Sequence, residues 1–502
     1  MSQRGGKSDC CVVPKKLPNK AAGEVPAAAE VVEGRRRAKG NAIEARMSRR
    51  SSRVYDVQTA LDGIRQTAKG NRKAKFTTLL HHVYAVERLE QAYLALRRDA
   101  APGVDGQTWA QYGQDLQSNL RLLSDRLARG GYHAQPVRRV HIPKADGTTR
   151  PLGVPALEDK IVQRATVEVL NAIYEQDFLG FSYGFRPGKS AHNALDAVAV
   201  GVWSQPVNWI LDADISKFFD TIEHDWLIRF IEYRVADSRI VRLIRKWLNA
   251  GVLENGLRTQ SEVGTVQGGS ISPLLANIYL HYAFDLWVKQ WRVRHARGKV
   301  IVVRYADDWV AGFQLRDDAE RFHKAVAERL AGFGLALHAD KTRLIEFGRF
   351  APQNRRRRGQ GKPATFDFLG FTHCCAKSRK GKFMVLRLSS AKRLRAKLQA
   401  VKIELRRRMH RPIAAQGRFL QAVVSGHGRY FGVPGNGHRL GMFRFQVARL
   451  WYRTLCRRTQ NHHLSWRRMY RLIAHWLPRP HICHPYPNQR LIVTTQGRSR
   501  MR

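Results

Sequence analysis

Hydrophobic positions along the chain follow three rhythms in succession. From Phe76, in FTTLLHHVYAVERLEQAYLALRRDA, Leu79, Val83, Val86, Leu89 and Tyr93 recur at three- and four-residue spacing. That period predicts a helical stretch, ended by the Ala-Pro-Gly that follows. Between about residues 136 and 375, short apolar runs alternate with helical patterns and Gly/Pro turns, which predicts an α+β or α/β domain. Two of its apolar runs lead into acids: WILDAD at 209–214 and VIVVRYADDWVAGF at 300–313. A basic loop, Gln353 to Lys362, interrupts the final part of this region.

Beyond about residue 385 the period becomes helical and the polar positions basic. Ser389-Ser390 can cap a helix whose apolar stripe is Leu394, Leu398, Val401 and Leu405, with Lys392, Arg393, Arg395, Lys397, Lys402 and Arg406 around it. The stretch from about 416 to 480 again reads as helical, interrupted by the glycines of VSGHGRYFGVPGNG. Trp451, Tyr452, Trp466, Tyr470 and Trp476 stand there among arginines, a mixture that suits stacking on RNA and pairing with phosphate, and equally suits core packing. Residues 1 to about 50 are small, charged and poor in aromatics, and predict a disordered basic arm.

Composition adds a partner. At 502 residues and 43% apolar content the chain can bury at least one substantial core, yet 88 Lys and Arg against 40 Asp and Glu leave a formal charge of +48 spread from end to end. Such self-repulsion points to a polyanion, RNA or DNA, ahead of a merely solvated basic surface. The six cysteines form neither a secreted disulfide framework nor a zinc-finger spacing, and His481, Cys483 and His484 in HICHPYP lack a second ligand cluster. There is no apolar run of about 18 residues, so no membrane span is expected. The N-terminal region carries Asp9, Glu24, Glu30 and Glu33 and lacks a hydrophobic segment, which argues against a targeting peptide. A soluble intracellular protein is expected.

The acids carry the candidate chemistry. Val300 to Arg304 has strand composition and Trp309 to Phe313 can return, so Ala306-Asp307-Asp308 would sit at a hairpin turn. Aspartate is also an ordinary turn residue, and the hairpin alone is not diagnostic. In the other run, Asp212 and Asp214 share one strand face by the two-residue period. One of these beside Asp307 and Asp308 would make a cluster that cannot stay ionised without cations. Two Mg2+ ions bridged by carboxylates would answer that need, and they suit phosphoryl transfer by a polymerase or nuclease.

Read in order, the chain resembles the group II intron reverse transcriptases, also called maturases, over about residues 71 to 487. IPKADGTTRPLGVPALEDKIVQRA, FSYGFRPGKSAHNAL, LDADISKFFDTIEHDWL, GTVQGGSISPLLANIYL, VRYADDWV, LALHADKTRLIEFGR and FDFLGFTH are similar to the family's ordered blocks, and KFTTLLHHVYAVERLEQAYLALRRDAAPGVDGQTW to its N-terminal extension. SGHGRYFGV, WYRTLCRRTQ and LPRPHICHPYP resemble its thumb and maturase region. The resemblance implies an α+β right-hand polymerase followed by an all-α thumb. Its divisions are a basic arm (1–50), an N-terminal extension with the start of the fingers (51–135), reverse transcriptase fingers and palm (136–384), a helical thumb/maturase domain (385–487) and a basic tail (488–502).

The resemblance also implies roles. Asp214, Asp307 and Asp308 match the catalytic, metal-binding carboxylates, with the Ile215 carbonyl as a further ligand of two Mg2+ ions, for which Mn2+ can substitute. Asp212 stands two residues early and reads as a structural acid. Lys144 and Arg150 match residues that grip the incoming triphosphate, and Phe219 the aromatic that excludes a 2′-hydroxyl, with Phe218 as the competing candidate. Gln267, Gly268 and Gly269 match a loop approaching template and nucleotide, although Val266 replaces the usual proline. Lys341 matches a lysine proposed to protonate pyrophosphate. Arg457, Arg458 and Gln460 correspond to an RNA-binding stretch in which the family often has RRSQ.

The expectation is an RNA-directed DNA polymerase encoded by a group II intron, with dNTPs, an RNA template and DNA primer, the intron RNA and target DNA as partners. It would act as monomer or homodimer, in the bacterial cytoplasm rather than an organelle. Two alternatives stand beside it: an RNA-binding splicing cofactor with a vestigial polymerase site, and a non-intron enzyme of the retron, diversity-generating or CRISPR-associated kind. The chain stops soon after HPYP without paired Cys motifs, so no HNH endonuclease domain is expected.

Overall fold

The computed structural model describes residues 59–143, 149–254, 257–259, 264–265, 268–378, 380–458 and 464–490. The expected arm over 1–50, and Lys144, Gln267 and Gln460, lie outside them. The strands are β1 (Val137–Pro143), β2 (Thr149–Val154), β3 (Trp209–Asp214), β4 (Val252–Glu254), β5 (Leu257–Thr259), β6 (Val300–Tyr305), β7 (Asp308–Phe313), β8 (Arg343–Glu346), β9 (Phe366–Phe368), β10 (Phe371–Lys377) and β11 (Phe383–Ser389). They form three sheets, ordered β2-β1-β4-β5, β6-β7-β3-β8 and β11-β10-β9. With the helices this is a mixed α/β architecture. Helices used below are α1 (Leu80–Tyr84), α2 (Val86–Leu94), α3 (Leu157–Asp177), α4 (Ala191–Ser204), α5 (Ser272–Leu280), α6 (Leu286–Arg294), α7 (Ala391–Arg407), α8 (Ile413–Phe431), α9 (Gly437–Cys456) and α10 (Trp466–Trp476).

The β6-β7-β3-β8 sheet is wholly antiparallel and buried on both faces. Leu211, Ala213, Val302, Trp309, Ala311 and Phe313 face one core, shared with α3 and α5. Ile210, Val303 and Val310 face another, closed by α4 and by Phe366, Phe368 and Phe371 of the third sheet. Because strand side chains alternate, Asp212 and Asp214 fall on the face of Ile210, and Asp308 on the face of Val310. The apolar alternation therefore decides where the acids point.

The β6–β7 hairpin is anchored from within. Tyr305 pairs with Asp308, leaving Ala306 and Asp307 as the turn, and Ala306 takes the left-handed φ of 57°. Asp308 is thus the first strand residue rather than part of the turn. Gly184 runs so close beneath that a Cβ there would lie 2.2 Å from the Ala306 nitrogen. Arg304, fully buried, donates to Asp285 Oδ1 at 2.7 Å and Oδ2 at 2.5 Å, to Asn277 Oδ1 at 3.1 Å, to the Ala306 carbonyl at 2.9 Å and to Ser182 Oγ at 2.8 Å. Asp285 ends a π turn, His281–Asp285, that links α5 to α6. One guanidinium joins hairpin, helix and loop.

Several local expectations shift. The helical stretch after Phe76 breaks at Ala85 (φ −51°, ψ 126°) into α1 and α2. Its start is set from a distance: the Asp237 carboxylate accepts from the N–H groups of Leu79 and Leu80 at 2.7 and 3.0 Å. The expected loop at 353–362 begins inside a short helix, Ala351–Arg357. Strand β11 runs to Ser389, so the helical part begins at Ala391 rather than 385, and the Ser390 hydroxyl donates to Asp367 at 2.9 Å instead of capping α7. Within VSGHGRYFGVPGNG, Gly426 and Gly428 do not interrupt α8, which continues to Phe431; the expected break falls at 432–436, before α9.

Replacing Asp285 with Ala leaves the Arg304 guanidinium buried and unpaired, an arrangement that costs about 3–5 kcal/mol. Chemical denaturation is expected to show a loss of that order for Asp285→Ala. A loss below about 1 kcal/mol would show that the hairpin does not depend on this pair.

Candidate active site

The β3–β7 register sets Asp214 directly opposite Asp308. Directly opposed residues on an antiparallel pair share a face, and like charges there repel. Asp307 adds a third carboxylate from the adjoining turn. The end of β3 is fixed by the Asp214 carbonyl, which accepts from the His338 N–H at 2.8 Å, and by an isolated bridge between Ile215 and Leu337. Lys217 then turns through a left-handed φ of 45° into a short helix, Phe218–Thr221. Phe218 is 2% exposed and Phe219 9%, so Phe219 is the less deeply buried of the two candidates.

The acids open on a cleft of about 520 Å3 between this sheet, the third sheet and the start of α7. Asp212, Asp214, Asp308, Lys341, Arg343 and Arg393 are among its lining residues. Burial, then the neighbouring Asp307 and Asp214, pushes the Asp308 carboxyl up to about 7, and Arg393 partly opposes the shift. Burial raises Asp212 to about 6 against its hydrogen bond from Arg343, 3.3 Å away. Asp212 is thus a paired acid of the cleft wall, as its position two residues before Asp214 suggested. Lys341, in the turn Ala339–Lys341, places its ammonium 2.6 Å from Asp214 Oδ2.

Among the described residues no three His, Cys, Asp or Glu side chains are already drawn together as a metal-binding group. The donor chemistry nevertheless fits a hard divalent cation: two opposed carboxylates, one of them held largely protonated below pH 7 by burial and by its acidic neighbours, are what such an ion would relieve. Lys341 supplies Asp214 with a positive charge in the meantime.

The other expected residues are distributed around this centre. Arg150 is in β2, opposite Ile142 on β1, while the intervening segment with Lys144 lies outside the described residues. Gly268 has a φ of 120°, and a Cβ there would meet the Gly153 carbonyl of β2 at 2.3 Å. Its close backbone approach is therefore to the neighbouring sheet. Arg457 and Arg458 follow α9 and are not among the residues lining the cleft. Of the C-terminal aromatics, Trp451 is core, whereas Trp466 and Tyr470 are 45% and 64% exposed, with Tyr452 stacked on Trp466 at 4.2 Å. Arg343 and Arg393 were not singled out for the site from the sequence. Arg343 stands two residues after Lys341 in the LALHADKTRLIEFGR block, whereas Arg393 arrives from the start of α7.

An acid pair on one sheet, opposed across adjacent strands in a cleft that also carries Lys341, Arg343, Lys392 and Arg393, belongs to a recognisable class. Residues 142–373 match the family described as reverse transcriptase (RNA-dependent DNA polymerase). Protein YkfC of Escherichia coli (strain K12) is 36% identical over 48% of this chain and 72% of its own length. The group II intron-encoded protein LtrA of Lactococcus lactis subsp. cremoris is 34% identical over 47% of this chain, which covers 39% of LtrA. The putative COX1/OXI3 intron 1 protein of Saccharomyces cerevisiae is 31% identical over 46% of this chain and 27% of its own length. The chain belongs to the group II intron reverse transcriptase/maturase family. Among the described residues no helix is long and apolar enough to cross a membrane.

The elevated Asp308 value carries a sign. Its folded value exceeds the unfolded one, so the cation-free native state holds an extra proton, and this contribution to stability is lost as pH rises through about 7. In EDTA, Tm is expected to fall between about pH 6 and pH 8, Mg2+ to restore more at the higher pH, and Asp308→Asn to reduce both effects. A Mg2+ response that is equal at both pH values in thermal melts would contradict this.

Proposed function

We propose that the protein is an RNA-directed DNA polymerase encoded by a group II intron, which copies intron RNA into DNA and binds that RNA to assist splicing and mobility. The observation that carries the reading is the register that sets Asp214 against Asp308, with Asp307 on the adjoining turn. On this reading the β6-β7-β3-β8 sheet is the palm, the β1–β2 hairpin belongs to the fingers, and α7 to α10 form the thumb/maturase region. Asp214, Asp307 and Asp308, with the Ile215 carbonyl, would hold two Mg2+ ions or Mn2+ in their place, which supply charge neutralisation at the reacting phosphate and a more acidic primer hydroxyl.

The chain's own groups do the positioning. Lys144, Arg150 and Gln267 would grip the dNTP, their charge and hydrogen bonds fixing the triphosphate for in-line attack. Phe219 would close the sugar pocket against a 2′-hydroxyl. Lys341, already beside Asp214, would deliver a proton to the departing pyrophosphate. Template, primer and target DNA would be held through the excess positive charge of the chain, and RNA specificity would reside in the helical region, where Arg457, Arg458 and Gln460 would contact intron RNA.

Primer extension on an RNA template tests the chemistry. Asp307→Ala is expected to lower dNTP incorporation by about a thousandfold or more while RNA affinity changes less than about twofold. Equal loss of both would contradict the role. RNA affinity should fall by roughly 10³ or more between 50 and 200 mM salt if many phosphates are neutralised. Arg457→Ala with Arg458→Ala should impair intron splicing more than extension of a generic template, and the reverse ranking would refute the division of labour.

A further inference from the structure

The LPRPHICHPYP stretch has a structural role that the polymerase chemistry does not use. Arg444 on α9 donates to the carbonyls of Leu477 at 3.1 Å and Pro478 at 3.1 Å. Five residues further on, the N–H groups of Cys483 and His484 both donate to the Gly432 carbonyl, at 2.8 and 3.0 Å. Pro478-Arg479-Pro480-His481 spans the interval, stiffened by its prolines. Together with α8 and α9 it encloses a cavity of about 220 Å3.

The lining combines flat rings with cations. His427, 8% exposed, stacks on Phe443 at 3.8 Å and 22°, and Phe431 lies 4.5 Å from its ring. Arg429 and Arg479, both exposed, flank the opening with His481. Drug-sized ligands occupy pockets of roughly 300 Å3 or more, so this volume suits a single planar ring system.

The α8 wall carries Gly428, where a Cβ would meet nothing within 4 Å, so the helix backbone is open to the cavity there. A glycine costs a helix about 1 kcal/mol relative to alanine, and it permits close approach to the backbone.

We infer that this cavity receives one unstacked base of a single-stranded nucleic acid, with Arg429 and Arg479 holding the phosphates on either side. The apolar lining of Leu440, Phe443 and Pro478 suits any base, and neighbouring guanidiniums match the repeating anions. The inference rests on the nucleic-acid-binding reading above and adds a defined position to it.

The test uses the full-length protein with single-stranded RNA oligomers carrying one 4-thiouridine, and matching DNA oligomers carrying one 4-thiothymidine. Photocrosslinked peptides are then mapped by mass spectrometry. Crosslinks are expected in the segments 424–431 and 478–484. Gly428→Leu, whose side chain starts in open space, should reduce them about tenfold, the order set by loss of one bound base, without lowering Tm. Arg479→Ala should reduce them without filling the cavity. Stronger labelling by the RNA or the DNA arm identifies the strand. Undiminished labelling in Gly428→Leu, or normal oligomer binding with crosslinks only elsewhere, overturns the cavity assignment. Absence of oligomer binding altogether would instead overturn the broader nucleic-acid reading.

Discussion

Two carboxylates held face to face across adjacent strands make up the constraint on which the rest of the molecule depends. Asp214 and Asp308 oppose each other in the β3–β7 register, and neither can move away without breaking a strand that is apolar on both faces. A shift by one residue would turn Val310 and Ile210 out of their core along with the acids. Hydrophobic burial thus holds together charges that repel. The elevated Asp308 value reflects first its burial and then that repulsion, and Lys341 and Arg393 are the cations the chain itself brings to offset it.

Holding such a hairpin takes a rigid base. Arg304 and Asp285 provide it, both fully buried, and the guanidinium also meets Asn277, Ser182 and the Ala306 carbonyl, so its donors are used on five acceptor atoms of four residues. A buried ion pair of this kind is weak evidence for net stability and better evidence for a fixed geometry. Here the Arg304 guanidinium ties the acidic turn to α5 through Asn277 and to the loop before α4 through Ser182. The basic surface is the complement of this arrangement: with +48 overall, the field around the cleft favours polyanions while the centre of the cleft remains acidic.

Much of the centre was legible in the chain because its cause is local. Apolar runs flanking Asp214 and Asp307-Asp308 have strand period, and strand period fixes which face a side chain takes. Family resemblance then supplied the pairing of two strands about 90 residues apart, which periodicity cannot. The finer boundaries were not legible where distant groups set them. Asp237 determines where α1 starts, and Asp367 takes the Ser390 hydroxyl that composition marked as a cap. Arg343 and Arg393 reach the cleft only through sheet order and the placement of α7. The glycines of α8 read as breaks from local propensity, whereas packing of Leu420, Val424 and His427 carries the helix through them.

The most direct test of the central claim is an anomalous difference map from crystals grown with Mn2+, an RNA template, a DNA primer and a non-hydrolysable dNTP. The account predicts Mn2+ peaks bounded by Asp214, Asp307 and Asp308, with the Lys341 ammonium displaced from Asp214. Density showing the Lys341–Asp214 pair intact, with Mn2+ absent from the cleft while template and primer are bound, would contradict it.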